Sequence, residues 1–219
     1  NSGNTTPILV ERNVFQNNSI PDLATQERNN IVLSSISQLR FYGNRMTNNT
    51  ASSLVTINMW INTGILPTQA GRNILFSNAI YENTTTGPLV HLMQGDRFQF
   101  TNNTVANNVI NTANADLFSV IGLGYGTESS VSFNANIINT HRFDVHNNIF
   151  FGNRNVSATS APSLFQDVPA VSPGFTCNAM DGSGNFARYN WFISSGAGFY
   201  SGGVCNVNPS VEQNNVATV

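Results

Sequence analysis

Apolar residues in this chain arrive in short bursts, separated by clusters of asparagine, serine, threonine and glycine. Runs such as NNIVLSSIS from Asn29, SSLVTINMW from Ser52 and GPLVHLMQG from Gly87 each carry an apolar stretch fit for a strand of about five residues. No stretch sustains the i, i+3, i+4, i+7 spacing of an amphipathic helix, and the helix formers Glu and Lys are scarce or absent. The pattern predicts short β-strands joined by polar turns.

The asparagine clusters align with one another. Placing NVFQNNSI from Asn13, LRFYGNRM from Leu39, NILFSNAI from Asn73 and FQFTNNTV from Phe98 in one register makes a column of Asn18, Asn44, Asn78 and Asn103. Weaker copies follow at Asn136, Asn148 and Asn190. Three positions before the column stand Phe15, Phe41, Leu75, Phe100, Phe133 and Val145, and two positions after it stand Ile20, Met46, Ile80, Val105, Ile138 and Phe150. Both flanks are apolar throughout. The first three intervals, 26, 34 and 25 residues, fall in the range of repeat architectures, with two or three strands to each repeat.

Short strands at this spacing also suit a sandwich or the blades of a propeller. Same-residue columns favour a parallel β-helix, in which each coil lies about 4.8 Å above the last and equivalent amides hydrogen-bond along the stack. Asparagine also tolerates the left-handed backbone that a sharp corner needs. The crossover rule for parallel strands makes such a helix right-handed. The expected fold is therefore all-β, a single right-handed parallel β-helix (solenoid) over residues 1–219 with about six to seven coils. Regular coils span 10–155, a loop excursion spans 156–184, and a terminal coil and tail span 185–219. The asparagines are then structural corner posts, with Phe41 and Met46 pointing between them.

The F-x-x-N element occurs from Phe15 to Asn18, Phe41 to Asn44, Phe100 to Asn103, Phe133 to Asn136 and Phe150 to Asn153. It resembles the repeat of polymorphic outer-membrane autotransporter passengers and similar right-handed, pectin-lyase-like β-helix surface proteins. The resemblance covers roughly residues 10 to 155, and the companion Gly-Gly-Ala-Ile element is missing, with SGGV at Ser201 to Val204 a partial echo. What it implies is the β-helix fold and a location at the cell surface.

Composition narrows the partners. Hydrophobic residues make up 40% of the 219 positions and include 15 phenylalanines, enough to fill a core. Charged residues make up only 9%, against about 25% in ordinary domains, so polarity rests on Asn, Ser and Thr and suits neutral partners. A net charge of −2 leaves no basic patch for nucleic acid or an anionic membrane. Every base is an arginine, and nothing in the sequence explains the lack of lysine. No window approaches the roughly 18 apolar residues of a membrane helix; the longest candidate, LFSVIGLGYG from Leu117, is broken by glycine. The start at Asn1, with no methionine or signal peptide, reads as a processed product or a piece of something longer.

After Asn155 the segment VSATSAPSLFQDVPAVSPGFTCNAMDGSG, rich in Pro, Ser and Gly, reads as a surface excursion. Cys177 and Cys205 flank the coil that follows. A disulfide between them is expected to pin that coil by roughly 3 to 4 kcal/mol and to imply an oxidising compartment; two free buried thiols are the plainer alternative. A metal site is disfavoured, because the histidines lie far away and CxxC spacing is absent. Asn-x-Ser/Thr sequons stand at Asn4, Asn17, Asn48, Asn83, Asn102 and Asn155, candidates for N-glycosylation of a secreted protein.

Many β-helices cleave polysaccharides, a chemistry that needs clustered carboxylates. The acids here are spread singly, although stacking can bring Asp96, Asp116 and Asp144 to one face. The densest polar group is THRFDVHNN, with His141, Arg142, Asp144 and His146, which reads as the outward face of a strand. No catalytic, cofactor or metal residues are assigned. The expected function is a non-enzymatic extracellular structural or adhesive glycoprotein, such as a subunit of a surface fibre, whose partners are itself, end to end or laterally, or surface glycans and proteins. A carbohydrate-active lyase or hydrolase is the alternative.

Overall fold

The computed structural model describes residues 7–20, 30–34, 38–58, 73–94, 98–111, 119–123, 144–154, 163–167, 186–193, 200–201, 211–213 and 216–218. Among these residues there is no helix. The 23 strands form four sheets, and every strand pairing is parallel.

The first sheet holds seven strands in chain order: Ile8–Glu11, Leu39–Tyr42, Asn73–Phe76, Phe98–Thr101, Asp144–His146, Phe186–Arg188 and Val211–Gln213. The second holds Val14–Gln16, Arg45–Thr47, Ala79–Tyr81, Thr104–Ala106, Ile149–Phe151, Trp191–Ile193 and Val216–Thr218. A third, of six strands, runs from Asn30–Ser34 through Ser53–Asn58, Val90–Gln94, Ser119–Leu123 and Ser163–Asp167 to Tyr200–Ser201. A small sheet stacks Thr50–Ala51, Thr84–Thr85 and Val109–Ile110.

The chain visits these sheets in turn and then returns to the first, one layer further on, an order compatible with a parallel β-helix. Leu39–Tyr42, Arg45–Thr47, Thr50–Ala51 and Ser53–Asn58 make one such layer. It has four strands, where the spacing predicts two or three. Two-residue strands carry no periodicity, so Thr50–Ala51 is invisible to a pattern of alternation. The segment 156–184, expected as an excursion, contributes Ser163–Asp167 to the third sheet. The region 185–219 supplies two strands to the first sheet rather than one.

Alternation along each strand sends one column of side chains inward. In the first sheet Phe41, Leu75, Phe100 and Val145 are in register and buried. In the second, Met46, Ile80, Val105 and Phe150 do the same. In the third, Val55, Val90 and Ile121 face them from the same core. Full burial of each such side chain contributes about 1.5–3 kcal/mol. Phe100 stacks on Phe150 with ring centroids 6.2 Å apart, tying the first sheet to the second. Ser53, Leu54, Val55, Thr56 and Ile57 are all buried, so the strand Ser53–Asn58 is covered on both faces and its apolar run is near-continuous.

Candidate functional site

Asparagine forms two ladders at the two corners that bracket the second sheet. The first runs Asn13, Asn44, Asn78, Asn103, Asn148, Asn190, with Nδ2–H donating to the next Oδ1 at 3.2, 3.2, 2.9, 3.1 and 2.9 Å. The second runs Asn18, Asn49, Asn83, Asn108, Asn153, at 2.9, 2.9, 2.9 and 2.8 Å. Each inner rung, Asn44, Asn78, Asn103 and Asn148 in the first ladder and Asn49, Asn83 and Asn108 in the second, obeys one rule. Its Oδ1 accepts from both the backbone N–H and the Nδ2–H of the rung before; for Asn78 these come from Asn44. Its Nδ2 donates onward to the next Oδ1 and back to a carbonyl in the preceding layer, as Asn78 does to Phe41. Buried amides therefore leave almost no polar capacity unused.

Asn44, Asn78, Asn103, Asn148 and Asn190 thus share a column, but Asn18 does not: it lies under Asn49, and Asn13 lies under Asn44. The first interval is accordingly 31 residues, not 26. Asn136 falls outside the described residues, and the first ladder passes directly from Asn103 to Asn148. Phe15, likewise, is in register with Met46, and Val10 with Phe41. The F-x-x-N elements at Phe41 and Phe100 precede the first corner, whereas those at Phe15 and Phe150 precede the second.

Nor is the ladder residue the one in the left-handed region. The residue before it is: Arg12, Gly43, Ser77, Asn102, Asn147 and Tyr189 at the first corner, Asn17, Asn48, Glu82, Asn107 and Gly152 at the second, all with φ between 53° and 63°. The corner turns at one residue and is bolted by the next. Asn13, Asn49, Asn83, Asn108 and Asn153 are ladder residues that a one-column reading misses. Their signal is an asparagine pair spaced by five around an inward apolar residue, in NVFQNN, NRMTNN, NAIYEN, NTVANN and NIFFGN.

The corners also sort the sequons. Asn17, Asn48 and Asn102 are exposed left-handed corner residues. Asn83 is a fully buried rung whose Nδ2, the atom a glycan would occupy, donates to Asn108 Oδ1 and to the carbonyls of Met46 and Tyr81. In the fold, contrary to the expectation from its sequon, Asn83 Nδ2 is closed to a glycan. Asn4 and Asn155 lie outside the described residues, as do Cys177 and Cys205.

Of the carboxylate candidates, Asp144 alone lies within the described residues. Asp144 Oδ1 and His146 Nδ1 are 2.9 Å apart on the outward face of Asp144–His146, both partly exposed. Gln99 and Thr101 flank them in the neighbouring strand. Asp96, Asp116, His141 and Arg142 lie outside the described residues. Among the described residues no three His, Cys, Asp or Glu side chains converge as metal ligands. No helix there is long and apolar enough to cross a membrane. No family model, no curated protein and no solved structure matches the chain.

Proposed function

We propose that the chain is a non-enzymatic extracellular structural or adhesive module, a single right-handed parallel β-helix that serves as a subunit of a cell-surface fibre. The observation that carries this reading is the pair of unbroken asparagine ladders. They spend neutral amides on internal cohesion, layer to layer, rather than presenting them to a ligand. Right-handedness follows from the crossover preference of parallel strands. With only 9% of its residues charged, the chain draws its polarity from amides and hydroxyls, which suits a second copy or neutral surface glycans as partner. A Cys177–Cys205 bridge and glycans on the exposed corners belong to the same extracellular reading, as does the likeness of the F-x-x-N element to autotransporter passengers.

Electron microscopy of the protein from the cells that make it tests the proposal. Fibres with a regular axial repeat are expected. Separate short particles at every concentration would sink it. A second reading, a carbohydrate-active enzyme, is favoured by one observation, the Asp144–His146 pair; it requires polysaccharide cleavage that Asp144→Asn abolishes.

A further inference from the structure

We propose that the outer face of the second sheet is a binding platform for a neutral β-1,4-linked glycan, which lies along the stack of layers with its sugars on Tyr81 and Phe151. The proposal rests on the adhesive-module reading above and names the surface and the substrate class. That class is an extended, uncharged chain of glucose or N-acetylglucosamine units.

Alternation buries Ile80, Val105 and Phe150 in the core and so turns Ala79, Tyr81, Thr104, Ala106, Ile149 and Phe151 outward, in three successive layers. None of the six is charged. Ile149 is 38% exposed, and Tyr81 and Phe151 are half-buried. The charges of Arg45 and Glu82 stand at the border, the first in the layer below and the second at the corner after Tyr81.

The two rings are spaced by two layers. Tyr81, Ala106 and Phe151 are successive partners in register, so the rings stand about 9.6 Å apart along the axis. Ala106 between them is only 4% exposed, so its larger neighbours close over it and leave no pit. The first sheet is built differently. There Tyr42 and Phe76 come from adjacent layers and stack on one another, centroids 4.7 Å apart, each covering a face of the other. Tyr81 and Phe151 have no ring partner among the described residues.

A β-1,4-linked chain of sugars with equatorial substituents is a flat ribbon. Its C–H faces are apolar and stack on aromatic rings, while its hydroxyls point to the two edges. Successive sugars are turned over, so the same face recurs once per disaccharide, a length that two layers of this fold match. The exposed amides of Asn147 at one corner and Asn107 at the other border the platform, where they can meet the hydroxyl edges. A second copy of the chain is the poorer occupant. The three layers measure about 14 Å along the axis and about 10 Å across. That is roughly 140 Å², against about 800 Å² from each partner in a stable protein contact.

Calorimetric titration of the full chain with cellohexaose and, separately, with chitohexaose tests this. Binding of at least one is expected, and which one binds tells the substituent that the platform accepts. Maltohexaose, whose α-1,4 linkages coil the chain, is expected not to bind. Failure of both β-linked hexasaccharides, or equal affinity for maltohexaose, overturns the proposal. Tyr81→Ala and Phe151→Ala are each expected to weaken binding about tenfold, and Tyr81→Phe to keep the wild-type affinity. Tyr42→Ala, which removes a ring from the other sheet, is expected to leave binding unchanged. Thr104→Arg keeps both rings and lays a long side chain across the platform; it weakens binding even where an alanine variant fails to fold. Folded ring variants that bind as wild type does overturn the platform. Fibres from a chain that binds neither sugar overturn this inference and leave the module reading standing. Binding that tracks the rings in a chain that never forms fibres supports the inference and removes the fibre reading.

Discussion

The Nδ2 of Asn78 donates to the backbone carbonyl of Phe41, 37 residues earlier, at 3.0 Å. The same nitrogen donates to Asn103 Oδ1 in the following layer at 2.9 Å. One side chain thereby fastens three layers, and its geometry carries the first prediction.

Asn78→Ala leaves the N–H and Nδ2 of Asn44, the carbonyl of Phe41 and one bonding position of Asn103 without their partner, all in a buried setting. A loss of about 3–4 kcal/mol is expected in chemical denaturation, given about 1–3 kcal/mol for each buried group left unsatisfied and some relaxation. Asn78→Asp keeps the acceptor but turns an oxygen toward Phe41 O and Asn103 Oδ1. Those two oxygens favour the protonated acid, which raises its pKa in the fold above the unfolded value. The variant is therefore least stable at neutral pH and gains stability as pH falls through the raised pKa. A denaturation midpoint that does not rise on acidification, relative to wild type, would contradict this.

The two corner glycines are expected to differ. Both have φ of +63°, where a Cβ costs about 1–2 kcal/mol. At Gly43 the added carbon makes ordinary contacts with Arg12, its Cγ at 3.6 Å and its N at 3.9 Å, so Gly43→Ala costs that strain alone. At Gly152 it collides with Asn107 Oδ1 as well, and Gly152→Ala is the more destabilising change. Thermal melts of the two variants check the order, and Gly43→Asn is expected to melt closest to wild type.

Phe100 is fully buried between Leu75 and Val145 and packs against Phe98 and Phe150 at 6.3 and 6.2 Å. Phe100→Ala is expected to cost about 3–5 kcal/mol, the usual range for deleting a buried aromatic ring. Tyr42→Ala, on the outward face and half-buried against Phe76, is expected to cost less. Equal losses would mean that the inward column is not the core.

Passage of the chain through a compartment that glycosylates asparagine is expected to modify Asn17, Asn48 and Asn102 and to leave Asn83 bare in folded protein. Peptide mapping by mass spectrometry reads all four sites. A glycan on Asn83 in folded material would contradict the buried rung.

Some of this was legible along the chain because it is local. Alternation within four to six residues reports strands, and the recurrence of Asn beside apolar flanks reports stacking, so the all-β class and the membership of Asn44, Asn78, Asn103, Asn148 and Asn190 in one column needed no coordinates. The register at the first layer was not local. Each layer carries two asparagines five apart, and F-x-x-N fits either corner, so a slip of five residues leaves every flank apolar: Phe15 and Asn18 match Phe41 and Asn44 as well as Val10 and Asn13 do. Only the stacked backbone chooses, because Arg45 N–H must reach Asn13 O while Thr50 N–H reaches Asn18 O. The same holds for the sequons. Asn48 and Asn83 read alike in sequence, and the difference between a solvent-facing corner and a buried rung is one residue of register.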